Sequence, residues 1–114
     1  MVPSSAGAVV LVPFPFSDLS QTRNRPSVVV VDAGRGDRVL CQVTSQPYSD
    51  PLAVLIESND FQSGGLRLPS YARPGKLFTA NHCLITREAG ILHPNAFQRV
   101  LDAVIALLQS SPGP

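Results

Sequence analysis

The chain has 114 residues, enough for one core that folds without disulfide staples and too few for two domains. Apolar residues make up 44% and charged residues 15%, which excludes intrinsic disorder. Nine Lys plus Arg against eight Asp plus Glu leave a formal charge of +1, so neither a basic coat nor an acidic tail can be the means of holding a partner. Eleven prolines and eight glycines break the chain every few residues and favour short strands over long helices until the last twenty or so positions.

The first apolar run, Ala8 to Leu11 and on to Phe14, ends in Pro13-Phe14-Pro15-Phe16, where proline cannot donate to a ladder; it reads as an edge strand running into a loop. Ser17 to Asn24 is polar. Val28-Val29-Val30-Val31 is a β-branched strand expected to be buried on both faces. Asp32 to Asp37 is a turn, in which Gly34-Arg35-Gly36 lacks the following helix that a phosphate-cradling loop requires. Val39 to Thr44 forms the next strand and Leu52 to Glu57 another. Further short strands are expected around Leu66–Leu68 and Lys76–Thr79, bracketed by Gly64-Gly65, Pro69 and Pro74. The period then changes. Phe97, Val100, Leu101, Val104 and Leu108 recur at spacings of three and four, one face of an amphipathic helix with Pro94 in its first turn, His93 at the cap position and Ser110-Ser111-Pro112-Gly113 as its stop. With no helix between the strands, the pattern predicts a mainly β, strongly bent small barrel closed by one C-terminal helix.

Cys41 and Cys83 have no paired spacing and read as two buried small apolar residues. His82, Cys83, Cys41 and His93 lack the spacing of metal ligands, so no metal site and no cofactor is expected. The opening Met1-Val2-Pro3-Ser4-Ser5 has no basic n-region, and no segment reaches the roughly 18 apolar residues of a membrane span; a cytoplasmic protein with no membrane partner is expected. No Gly-x-Ser-x-Gly elbow exposes a nucleophile. Phe14 and Phe16 could stack on bases, but a Pro-Phe alternation also suits the plugging of a barrel end. What remains is polar groups at strand ends. Arg25 stands before Pro26 at the start of the most hydrophobic strand, Thr44-Ser45 closes the next, and Ser70, Tyr71 and Arg73 lie between Pro69 and Pro74. Composition and spacing do not bring these groups together.

Read in order, these segments resemble a known family. Val9 to Leu19 with its Pro-Phe-Pro-Phe-Ser-Asp, then Arg25-Pro26, then Cys41-Gln42-Val43-Thr44-Ser45, are similar to successive signatures of the MazF/PemK toxins of toxin–antitoxin pairs. Gly64-Gly65-Leu66, Pro69-Ser70-Tyr71 with Arg73, Lys76-Leu77-Phe78-Thr79, Gly90 and the terminal helix continue the likeness. A single domain over 1–114, with its core about 7–109, is expected. The resemblance implies an SH3-like small barrel of the CcdB/MazF/PemK kind and a two-fold homodimer. It also implies a sequence-specific, metal-independent endoribonuclease acting on single-stranded RNA and neutralised by a cognate antitoxin. On this likeness Arg25 and Thr44 are the catalytic residues, and Arg23, Ser45, Ser70 and Arg73 contact RNA, with Arg67 a further basic residue for the groove. Two alternatives are a catalytically silent member that binds RNA or antitoxin and a CcdB-like toxin that binds a protein. The sequence departs from the family at Ala8, where relatives carry Asp or Glu, and at His93, where Ser is more usual. Asp18, Glu57 and His82 are candidates for a general base.

Overall fold

The computed structural model describes residues 5–15, 22–47 and 49–110, excepting the side chains of 14, 15, 22 and 23. Seven strands form one antiparallel sheet: β1 (Ala8–Pro15), β2 (Thr22–Gly34), β3 (Asp37–Thr44), β4 (Val54–Ile56), β5 (Phe61–Gly64), β6 (Ser70–Asn81) and β7 (Arg87–Leu92). Helix α1 (Pro94–Gln109) follows. The order across the sheet is β4-β6-β3-β2-β1-β7-β5, and the sheet curls into a half-barrel, as the strand-rich pattern with one terminal helix leads one to expect.

β1 is not simply an edge strand. Val9 to Leu11 pair with β7 on one side and β2 on the other, whereas Pro13 and Pro15 fall beyond the last β7 partner and pair only with β2. The missing N–H groups thus cost no ladder bond on the open side. Strands β2 and β3 are longer than expected at their shared end because the turn between them contracts to Arg35-Gly36, and β2 also begins earlier, at Thr22, where it pairs with β1. Both residues have positive φ (57° and 82°), as a two-residue hairpin turn requires. Val28 and Val29 are fully buried, but Val31 is 48% exposed, so two-sided burial holds only for the middle of β2.

The strand expected at Leu66–Leu68 is absent; it lies earlier, as β5, and the chain leaves the sheet at Gly64, whose φ is +66°. There β5 and β7 approach so closely that a Cβ on Gly90 would stand 2.6 Å from the Ser63 carbonyl oxygen. β6 runs straight through Pro74, which does not bracket it. Its register with β3 jumps from Leu77 opposite Cys41 to Ala72 opposite Val43, and this bulge absorbs the proline without breaking the strand. β7 itself has no counterpart in the sequence reading.

Two apolar clusters hold the sheet. Val9, Val28, Cys41, Val43, Ile56 and Ala72 pack with Ala96 and Val100 of α1, while Ala8, Val10, Val12, Val29, Leu40 and Ala80 form the second. Alternation along β1 assigns odd residues to one cluster and even residues to the other. Ala8, 1% exposed, therefore occupies a core position. Helix α1 buries Ala96, Val100 and Val104, but Leu108 is 69% exposed, so the apolar face ends one turn early. Pro94 begins the helix and His93 stands at its cap without a side-chain capping bond, as its weak capping chemistry suggests. Cys41 is buried as expected; Cys83 is exposed, because His82–Leu84 forms a 3-10 turn on the surface. Among the described residues no helix is long and apolar enough to cross a membrane.

Candidate functional site

A cavity of about 360 Å³ opens where β1, β2, β3 and β7 meet the segment that joins β5 to β6. Strand register explains what gathers there. Leu11 of β1 faces Pro26 of β2 on one side and Arg87 of β7 on the other, which sets Arg25-Pro26 and Arg87 on either flank of the same strand. Thr44 at the end of β3 pairs with Tyr71, so Ser70 arrives beside the Thr44-Ser45 corner. Arg25, Thr44, Ser45, Ser70, Arg67 and Arg87 all line the cavity, and Val43, Leu66, Leu68 and Ala89 supply apolar wall.

The hydroxyls differ in what they have left to offer. Thr44 is buried, and its Oγ1 accepts a hydrogen bond from the Gln46 N–H at 3.0 Å. With an oxygen lone pair thus occupied, the hydroxyl proton remains available as a donor. Ser70 Oγ donates to the Leu68 carbonyl at 2.9 Å, so it shapes the segment that carries Arg67 and can only accept from a ligand in this rotamer. Ser45 is exposed at the rim. Arg25 is half-buried within β2, opposite Val12, with its Nε shielded from solvent. Pro26 after it fixes the backbone, so the guanidinium is carried by the sheet and not by a loop.

Four of the six site residues read from the sequence are therefore brought together: Arg25, Thr44, Ser45 and Ser70. Arg73 is not among the lining residues. Its Nε donates to Asp50 Oδ2 at 3.0 Å, and both side chains are largely buried. Arg23 belongs to β2, opposite Phe14, but its side chain lies outside the described residues. The candidate bases do not gather here either. Glu57 and His82 do not line the cavity, and Asp18 lies outside the described residues. Among the described residues the lining holds no carboxylate and no imidazole. Arg87 was missed by the sequence reading, since it lies on the strand that reading lacked; a basic residue three positions before Gly90 was the available signal.

In the core, Cys41 Sγ donates to the Arg73 carbonyl at 3.2 Å. Burial pushes its thiol up to about 12, outweighing the opposing effect of that hydrogen bond, so it is a packing group and no nucleophile. No group of three or more His, Cys, Asp or Glu is placed to hold a metal ion among the described residues.

Residues 5–108 match the family model of the PemK-like, MazF-like toxin of type II toxin–antitoxin systems. No curated protein sequence matches the chain significantly. Among solved structures the fold is similar to that of MazF from Deinococcus radiodurans, with a TM-score of 0.74 at 18% identity over 96% of this chain and 100% of the other. It is also similar to an endoribonuclease in complex with its cognate antitoxin from a mycobacterial species, with a TM-score of 0.70 at 19% identity over the whole of both chains. The Mycobacterium tuberculosis toxin MazF-mt6 gives 0.66 at 13% identity, over 90% of this chain and 98% of that one. At such identities the structural likeness speaks for the fold, and the sequence match speaks for descent. The chain belongs to the PemK-like, MazF-like family of toxins of type II toxin–antitoxin systems.

Proposed function

We propose that this toxin is a metal-independent endoribonuclease that cleaves single-stranded RNA in the cytoplasm, works as a homodimer and is held inactive by a cognate antitoxin. The observation that carries the reading is the make-up of the cavity: guanidinium groups and hydroxyls, with apolar walls and no carboxylate among the described lining residues. Such a surface suits a polyanion. RNA also carries its own nucleophile. As the 2′-oxygen forms a bond to the adjacent phosphorus, the bond from phosphorus to the 5′-oxygen breaks, leaving a cyclic phosphate and a free 5′-hydroxyl. The 2′-hydroxyl proton passes to solvent, and the leaving 5′-oxygen takes up a proton.

The protein's task is to hold the attack in line and to stabilise charge growing on the phosphoryl oxygens. Arg25 supplies fixed positive charge and Thr44 a neutral donor. A guanidinium does not give up its proton near neutral pH, so Arg25 stabilises charge and does not act as a base. Ser45, Ser70 and Arg23 contact the RNA strand, with Arg67 and Arg87 on its flanking phosphates.

The test is single-turnover cleavage of a short RNA in EDTA, with melting curves alongside. Arg25→Ala is expected to lower the rate by about a hundredfold or more without lowering the melting temperature, and Thr44→Ala to cost less. A folded Arg25→Ala protein that cleaves at the wild-type rate removes the catalytic assignment. A protein that binds RNA or antitoxin but never cleaves is instead a silent member. Growth arrest that survives Arg25→Ala points to a protein target.

A further inference from the structure

The segment joining β3 to β4 starts at Ser45, directly after Thr44, and one residue organises it. Asp50 N–H donates to the Pro47 carbonyl at 3.0 Å, and the Asp50 carbonyl accepts from the Ala53 N–H at 3.2 Å. Asp50 Oδ1 accepts from the Leu52 N–H at 2.9 Å. Ser49, next to it, is held at φ +59°, a conformation that a non-glycine residue adopts only when its surroundings impose it. The second carboxylate oxygen, Oδ2, accepts from Arg73 Nε at 3.0 Å, with the two side chains only 13% and 19% exposed.

Arg73 is itself anchored from below. It sits in the bulge of β6, before the buried Pro74, and its carbonyl accepts from Cys41 Sγ in the core. A hub of the segment is thus tied to the sheet by a short, shielded ion pair. Hydrogen bonds from the Leu52 N–H and then from Arg73 hold the Asp50 carboxyl below the usual carboxylate range, so the pair stays charged throughout the neutral region. Removing one partner of such a pair leaves an uncompensated charge in a shielded place, and the segment must then move or take in water.

We propose that the Asp50–Arg73 ion pair is a positioning device for the reaction: it sets the segment that carries Ser45 and that, through the Gln46 N–H, holds the Thr44 hydroxyl toward the scissile phosphate. Arg73 thereby acts through Asp50 and not on the RNA. The catalytic half of this inference rests on the ribonuclease reading of the same cavity. The positioning half does not, and it can be measured without RNA.

Amide hydrogen exchange, single-turnover kinetics and melting curves on Asp50→Asn, Arg73→Gln, Arg73→Lys and the double variant Asp50→Asn with Arg73→Gln test it. Asp50→Asn and Arg73→Gln are expected to speed exchange at Gln46, Leu52 and Ala53 by about tenfold or more, with the amides of Val39 to Val43 unchanged. The cleavage rate should fall by about a hundredfold, as displacement of a catalytic group by about 1 Å typically produces, while the half-saturating RNA concentration stays within about twofold. Arg73→Lys, which keeps the charge, should recover part of the rate, and the double variant should be no worse than the poorer single one. Unchanged exchange at Leu52 and Ala53 in Asp50→Asn overturns the proposal. So does an Arg73→Gln protein that loses RNA affinity while Asp50→Asn does not, since Arg73 would then touch RNA directly. If the wild-type protein cleaves no RNA, the ribonuclease reading and the catalytic half fall together, and the exchange data alone decide whether the pair holds the segment.

Discussion

Arg87 and Arg25 stand on opposite flanks of β1, yet they sit in different surroundings: Arg87 is exposed and Arg25 half-buried. A shielded guanidinium acts on charge at short range, whereas an exposed one interacts through solvent and is screened by salt. Substituting them should therefore have different signatures. Arg87→Ala is expected to weaken binding of a non-cleavable RNA analogue, and to lower the slope of log affinity against log salt by about 0.7, the value for one lost phosphate contact on a single strand. Its single-turnover rate at saturating RNA should stay near wild type. Binding titrations across a salt series check this, and an unchanged slope would place Arg87 outside the RNA path. At this scale the sequence was partly legible. Arg25 beside Pro26 and Thr44 at the end of an apolar run were singled out by the family resemblance, but the pairing of Arg73 with Asp50 joins residues 23 positions apart, which no local pattern encodes.

The junction between β5 and α1 depends on Asp60. Its Oδ2 accepts from the Glu57 N–H at 2.8 Å, its Oδ1 accepts from Arg99 of α1 at 3.0 Å, and its carbonyl accepts from the His93 N–H at 2.8 Å. Partial burial works to raise the Asp60 carboxyl, but the Glu57 N–H, Arg99 and His93 together hold it below the ordinary value. A carboxyl whose folded value is depressed binds its proton more readily in the unfolded chain. Its contribution to stability is thus present above the ordinary aspartate value of about 3.9 and fades as pH falls through the lower folded value. Wild type is expected to melt above Asp60→Asn at pH 7, with the gap closing below about pH 4. Melting curves of both proteins from pH 7 to pH 3 measure it, and a gap that does not change with pH would show that the carboxylate's charge is not what ties α1 to the sheet. The helix was legible from its period because its burial is one-sided. The strand β7 was not: Arg87, Glu88 and Gly90 show no apolar alternation, and the strand exists because β1 and β5 offer it partners on both sides.

For the molecule as a whole, the exposed apolar side chains bear on assembly. Val31, Leu52, Leu55, Leu68 and Leu84 are each at least 40% exposed on a chain with a formal charge of only +1, so repulsion between copies is weak. Scattered apolar side chains are ordinary on a monomer, and the expectation of a dimer draws on family membership as well. Sedimentation equilibrium at micromolar concentration is expected to give twice the chain mass of 12.1 kDa. A mass near that of one chain would mean that any RNA groove is built by a single copy.

The sequence by itself determined the class of the fold and pointed to candidate site residues. Proline and glycine frequency limits helix, β-branched runs make strands, a change of period marks α1, and an ordered series of short motifs carries Arg25 and Thr44. The tertiary structure alone decided what those groups stand beside. Antiparallel pairing sets Arg87 across Leu11 from Pro26, a three-residue slip in β6 carries Arg73 away from the cavity lining and onto Asp50, and Gly64 and Gly90 let two backbones approach where side chains would block them. The physical reason is range. Propensity and period act over a few neighbouring residues, whereas register, bulges and shielded ion pairs are settled between strands far apart in the chain, once the whole sheet has curled.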